Sequence, residues 1–316
     1  MTVADLKVQK TIEVCLAAIY PNLQVMGEES QESIADVEPA IQPNAFDDAI
    51  RSFIKTDFLT QSYEGRRDWI ESQLRQHYDL RDIAEDKFAT FSTKDACVWI
   101  DPLDGTSDFV KGNLPAVTVL IGLSICNRSR LGIVHKPFIR DNEELGKTVF
   151  GSAEHGVFSV DYDRRQTIDE QLSREINYLE PFNMEEPAED HQIRVAASLS
   201  HFSDTIKEVL GGLDPVEIKR IGGAGNKVLN LATGEVDCYI HPSPGLMHWD
   251  LCAPESLVKG MGGWATNLYQ ERLRYPIDAP NYKLKGLICA NTPPMYGLIK
   301  RRMGSVLVNI ASKVKL

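Results

Sequence analysis

The chain has 316 residues, enough for a sizeable core and for one large domain or two coupled ones. Its hydrophobic fraction of 43% and charged fraction of 25% are those of an ordinary soluble globular protein. Acids outnumber Lys and Arg by 45 to 34, a formal net charge of −11, which argues against a nucleic-acid polymer or an anionic membrane as partner, because either needs a basic face. A small phosphorylated molecule stays open, since bound cations reverse a local charge. Cys15, Cys97, Cys126, Cys238, Cys252 and Cys289 contain no C-x-x-C pair and read as small core residues in a reducing compartment. The N-terminus has no apolar h-region, no 18 apolar residues run together, and the final VKL departs from the S-K-L signal. A cytoplasmic location is expected.

In chain order, Ile12, Cys15, Leu16 and Ile19 fall on one helical face, and Pro21-Asn22 ends that helix. LQVM follows as a short strand and runs into GEES. Residues 31–95 are polar and acid-rich, with helical patches such as Phe46, Ile50, Phe53 and Ile54, and read as an insertion wrapped around the outside. From CVWI onward come short strands with turns: VTVLIGLSI, LGIVHKP, KTVFGSA and GVFSV. Strands this close, with no helix between them, predict an antiparallel sheet. Residues 161–190 read as an acidic loop, and the domain boundary is placed near its end, giving 1–188 and 189–316. Afterwards strands alternate with helices: IRVAAS, a helix through Ile206–Leu210, EIKRI, a helix from Lys227 to Thr233, DCYIHP, and a helix from Asp250 to Met261. That is an α/β pattern.

Three acidic motifs interrupt apolar stretches: MGEES with Glu28 and Glu29, DPLDGT with Asp101 and Asp104, and HWDLCAPE with Asp250. Unpaired, such carboxylates cost desolvation and repel one another. Acid clusters without nearby Lys or Arg are the ligand set of a hard cation, Mg²⁺ before Zn²⁺. Each motif also has a plainer reading. Asp250 is placed as a helix N-cap, GEES as a turn with a solvated acid pair, and DPLDGT as an Asp-initiated turn. An EF-hand loop from Asp101 fails, because its ligand positions would hold Leu103, Gly105 and Gly112. An aspartyl-phosphate phosphatase, D-x-D-G-T, places its acids two apart rather than three.

Taken in order, GEES, WIDPLDGTSDFVKG and WDLCAPESLVKGMGG resemble the signature of the lithium-sensitive, Mg²⁺-dependent inositol monophosphatase superfamily. VTVLIGLSI, RIGGAGNKVLNL and CAPE are similar to its 3'(2'),5'-bisphosphate nucleotidase branch, with the inositol polyphosphate 1-phosphatases next. The resemblance implies an α+β and α/β architecture, a five-layer α-β-α-β-α sandwich with a metal site between two sheets. It implies two or three Mg²⁺ ions and inhibition by Li⁺. Glu28, Asp101 and the Leu103 carbonyl would hold one ion; Asp101, Asp104 and Asp250 a second; Glu28 and waters a weaker third. Asp5 of TVADLK matches the acid that pairs with the threonine of D-G-T, here Thr106. Family members carry about forty residues before this segment, whereas Met1 stands four before Asp5, which would put Asp5 near a chain end that frays unless tied down.

A phosphate monoester is a dianion that an acidic site repels unless metal binds first. Thr106, oriented by Asp5, would then align the attacking water, and the amides of Gly105 and Thr106, at the head of a helix, would face an anion. By resemblance Ser198, His201, Gly223 and Lys227 bind the nucleotide, Lys227 near the phosphate that is kept; GGAGNK lacks the P-loop spacing. The plainer reading makes Lys227 a solvated residue at the start of its helix. The reaction expected is adenosine 3',5'-bisphosphate, and its sulfated analogue, to AMP and phosphate. The alternative is removal of the 1-phosphate of inositol 1,4-bisphosphate, and a catalytically dead, metal-dependent binding protein is the remote one. The expected state is monomer or homodimer.

Overall fold

The computed structural model describes residues 1–41, 92–139, 144–167, 170–171, 174–198 and 203–313. The helical patches expected at Phe46, Ile50, Phe53 and Ile54, and His201, lie outside them.

The chain opens with α1 (Val3–Ile19), capped by Thr2, followed by β1 (Gln24–Gly27) and the short α2 (Gln31–Ile34). Next come β2 (Ala96–Asp104), α3 (Thr106–Val110), β3 (Thr118–Ile125), β4 (Arg128–Lys136), β5 (Leu145–Ser152), β6 (Gly156–Asp163) and β7 (Asn177–Leu179). These strands form one sheet in sequence order, β1 parallel to β2 and the rest antiparallel.

A second sheet follows. Its elements are β8 (Ile193–Ala197), α4 (Asp204–Leu213), β9 (Val216–Arg220), α5 (Ala224–Ala232), β10 (Cys238–His241), α6 (His248–Gly260), β11 (Trp264–Thr266), β12 (Leu287–Ala290) and α7 (Pro293–Lys313), which is kinked at Gly304. The order is β11-β12-β10-β8-β9, with β8, β9 and β10 parallel and β11 and β12 antiparallel.

Alternation along each strand sorts the layers. Val98 and Ile100 of β2 face α1, since Ile100 pairs with Gly27, which meets Gln9 of α1. Cys97 and Trp99 face the other way and join one apolar cluster with Leu251, Cys252 and Leu257 of α6. Ala196, Tyr239 and Cys289 of the second sheet close that cluster from its far side. Val195, Ile240 and Ile288 instead pack on α4 and α7. The layers are therefore α1, sheet, α5 with α6, sheet, α4 with α7. Helix α6 is buried around almost its whole circumference, as a helix between two sheets must be. It approaches the first sheet closely because Gly122 and Gly132 lie beneath it: a Cβ on Gly132 would stand 2.0 Å from the Ala253 carbonyl oxygen.

The apolar face expected on α1 is half-buried at Ile12, Cys15 and Leu16 and exposed at Ile19. The helix's fully buried residues are Asp5 and Gln9, so its core-facing stripe is polar and serves the site described next. Four of the six cysteines are buried as expected, whereas Cys15 is half-buried and Cys126 exposed; none is disulfide-bonded.

Candidate active site

Strand β2 ends at the junction of the two sheets, where it delivers Asp101 and Asp104 at an irregularity in its pairing with β3. The Asp101 carboxylate folds back onto the Leu103 amide at 3.0 Å, an Asx-type turn that fixes its direction. The chain then turns through Gly105, whose φ of +87° suits a residue without a Cβ, and Thr106 heads α3. The Thr106 hydroxyl lies 3.0 Å from the Leu103 carbonyl oxygen and 3.5 Å from Asp5 Oδ1. Asp5 is itself buried and accepts the Thr2 backbone N–H in a capping box. The structure thus brings together Asp5 and Thr106, 101 positions apart.

Glu28 is brought alongside by β1, which runs parallel to β2, and its amide donates to the Ile100 carbonyl at 3.0 Å. The next peptide is clamped by Gln9: its Oε1 accepts the Glu29 N–H at 2.9 Å and its Nε2 donates to the Glu29 carbonyl at 2.8 Å. Asp250 comes from the start of α6. It is not the N-cap expected from the sequence. Met247 is the cap, and Asp250 sits one turn inside, its Oδ2 accepting the Met247 N–H at 2.7 Å. The helix begins two residues earlier than its sequence pattern suggests, because the carboxylate reaches back as the second half of a capping box.

Asp101 stands in hydrogen-bonding reach of both Glu28 and Asp250. Burial first, and then repulsion from neighbouring acids, raises all three: Asp101 well above the usual carboxylate range, Asp250 to about 7, and Glu28 upward. None of the three forms a salt bridge with a described Lys or Arg. An all-oxygen donor set held in this uncompensated state fits a hard divalent cation. Among the described residues, no three His, Cys, Asp or Glu are already gathered as a coordination shell; Asp101 is the shared member of two carboxylate pairs.

Asp104 is bound differently. Its Oδ1 accepts the Ala224 N–H at 2.9 Å, and its Oδ2 accepts from Gly225 N at 2.8 Å, Asn226 N at 3.3 Å and Thr118 Oγ1 at 2.9 Å. It therefore caps α5 from another element, where the positive end of the helix favours an anion. Gly223 permits this approach, since its own Cβ would lie 2.7 Å from Asp104 Oδ2.

Lys227 does not open its helix as a solvated residue. Helix α5 starts at Ala224, and Lys227 is buried one turn in. Its ammonium donates to the Gly223 carbonyl at 2.9 Å and lies 5.4 Å from the centre of the Tyr239 ring. Burial lowers its pKa against the opposing pull of Asp104, Asp108 and Asp250. Ser198 follows β8 and its carbonyl accepts from Arg220 Nη1 at 2.9 Å; it lies in a small recess with Ile206 and His241, apart from the acids. Gln9 and Thr118 escape the sequence reading. Gln9 had one available signal: it stands four residues after Asp5, on the same face of α1.

A five-layer sandwich that gathers carboxylates, an Asp–Thr pair and a buried lysine has the donors that phosphate-ester hydrolysis calls for. The inositol monophosphatase family model matches residues 1–306; the chain belongs to that family and is a phosphoric monoester hydrolase. It is 28% identical over 293 residues to 3'(2'),5'-bisphosphate nucleotidase 1 of Mus musculus, covering 92% of this chain and 78% of that protein. Among solved structures, 2'AMP-bound SaIMPase-II matches with a TM-score of 0.57 at 16% identity, over 98% of this chain and 88% of that one. The inhibitory complex of staphylococcal inositol monophosphatase-1 soaked in 100 mM LiCl matches with a TM-score of 0.56 at 13% identity, over 96% of this chain and 80% of that one. Both show the same fold.

Proposed function

We propose that this protein is a Mg²⁺-dependent, Li⁺-inhibited phosphomonoesterase that converts adenosine 3',5'-bisphosphate to AMP and phosphate. The observation that carries this reading is the buried Lys227 beside the acid cluster: a substrate with two phosphates offers one to the acids' cations and one to the lysine. The similarity to a bisphosphate nucleotidase supports the nucleotide.

Glu28, Asp101 and the Leu103 carbonyl would hold one Mg²⁺, and Asp101, Asp104 and Asp250 a second. Bound there, the ions would supply charge neutralisation for the phosphate and a lowered pKa for the attacking water. The protein's own groups align the attack. Thr106 accepts a hydrogen bond from the water while its own proton turns to Asp5 Oδ1, which releases the Leu103 carbonyl oxygen from its present bond to the hydroxyl. Lys227 fixes the retained phosphate as a point charge, and Ser198 and His201 would contact the nucleoside. Direct attack by water needs no phosphoenzyme.

Inositol 1,4-bisphosphate meets the same two-phosphate requirement, and the family match favours it as the second reading. Phosphate release from the two substrates, each in Mg²⁺ with and without LiCl, separates them. Preferential, lithium-suppressed release from the nucleotide is expected. Preference for the inositol would reassign Ser198, His201 and Lys227, and release from neither would overturn the two-phosphate reading.

A further inference from the structure

A second cleft, of about 720 Å³, is lined by Arg128, Arg272, Arg274, Lys283, Lys285 and Lys300, and no residue of the acid cluster contributes to it. Its volume falls in the range of small-molecule sites. The charge is out of keeping with the rest of the chain. Over residues 264–300, five Lys and Arg stand against Glu271 and Asp278, in a molecule whose acids outnumber its bases by 45 to 34. Glu271 is the one acid lining the cleft, and its carboxylate accepts from Asn267 Nδ2 at 2.8 Å. A concave wall of one sign concentrates its field on a ligand of the other.

Four of these six cations are also held in place, which reduces the ordering cost of binding. Arg128 is buried and donates through Nη1 to the Leu273 carbonyl at 3.1 Å. The Arg272 guanidinium lies 5.9 Å from the Trp264 ring, the Lys285 ammonium 5.7 Å from Tyr269 and the Lys300 ammonium 6.0 Å from Tyr296. The segment carrying Lys283 and Lys285 is stitched to the chain entering α6: Leu284 N–H donates to Leu246 at 2.7 Å, and His248 N–H to Tyr282 at 2.9 Å. His248 lines the cleft and is buried, yet its Nδ1 has no hydrogen-bond partner among the described residues.

We propose that this cleft is a second anion site, which takes a small molecule bearing two or more phosphate or sulfate groups and needs no metal to do so. Arginine and lysine together supply the forked and point-charge donors that such groups accept. The proposal stands apart from the assigned reaction. Without divalent cations the acid cluster repels anions, whereas the basic cleft does not.

The experiment is isothermal titration of the full chain, freed of divalent ions by dialysis, with inorganic pyrophosphate at low and high NaCl. One pyrophosphate per chain is expected, with binding weakened by salt. The triple variant Arg274→Gln, Lys283→Gln, Lys285→Gln should bind about tenfold more weakly or worse, with unchanged phosphate release. Should the triple variant misfold, the exposed single changes Arg274→Gln and Lys283→Gln report the same loss in smaller steps. Absence of metal-independent binding overturns the proposal. So does binding that survives these variants but is lost in Lys227→Met, which would put the anion in the site already described.

Discussion

Both oxygens of Asp104 are occupied by the N–H groups that open α5 and by the Thr118 hydroxyl. Asparagine in its place keeps one acceptor and turns an NH₂ toward donors, so at least one buried N–H loses its partner, at a cost of about 1–3 kcal/mol. Asp104→Asn is therefore expected to lower thermal stability as well as to abolish phosphate release. Glu28→Gln, which disturbs no such cap, should abolish release with the melting temperature little changed. Calorimetry beside a phosphate assay checks both, and a fully stable Asp104→Asn protein would contradict the capping role. Spacing alone marked Asp101 and Asp104 as equivalent acids. Their difference comes from α5, some 120 positions later, which no local pattern contains.

At the scale of elements, strand patterns and turn residues made most of both sheets legible: period-two burial is written directly into VTVLIGLSI, and IRVAAS is a short apolar run buried on both faces. The α1 helix and its end were legible, but its buried face was not, because hydrophobic periodicity assumes that the buried face is apolar. Here the buried pair is Asp5 and Gln9, one turn apart, and their task is to hold Thr106 and the GEES loop. A Cβ on Gly27 would lie 2.2 Å from the Gln9 side chain, so loop and glutamine are fitted to each other. Gln9→Leu removes both bonds to the Glu29 peptide and frees Glu28 to drift from Asp101. The expected result is a rise of about tenfold in the Mg²⁺ concentration for half-maximal activity, the equivalent of roughly 1.4 kcal/mol. A Mg²⁺ titration of phosphate release checks it, and an unchanged midpoint would reduce Gln9 to a structural residue.

For the molecule as a whole, the uncompensated carboxylates are expected to make stability depend on pH and on bound cations together. Among the described residues, no helix is long and apolar enough to cross a membrane. Asp250 is raised to about 7 by burial and by Asp104, whereas an unfolded aspartate titrates near its ordinary value, about 3.9. Between those values the folded chain binds more protons than the unfolded one, so stability falls as pH rises. The contribution is fully present below the unfolded value and lost as pH passes through about 7. The metal-free protein should therefore lose melting temperature between pH 5 and pH 8 relative to Asp250→Asn, which keeps an oxygen for the Met247 N–H but carries no titrating charge. Saturating Mg²⁺ should offset the loss in the wild-type chain, because an ion that binds only the folded state stabilises it by mass action, and should do so less in the variant. Parallel melting curves for the two metal-free proteins across that range would mean that Asp250 ionises freely in the fold, and that its burial is relieved by water rather than by a cation.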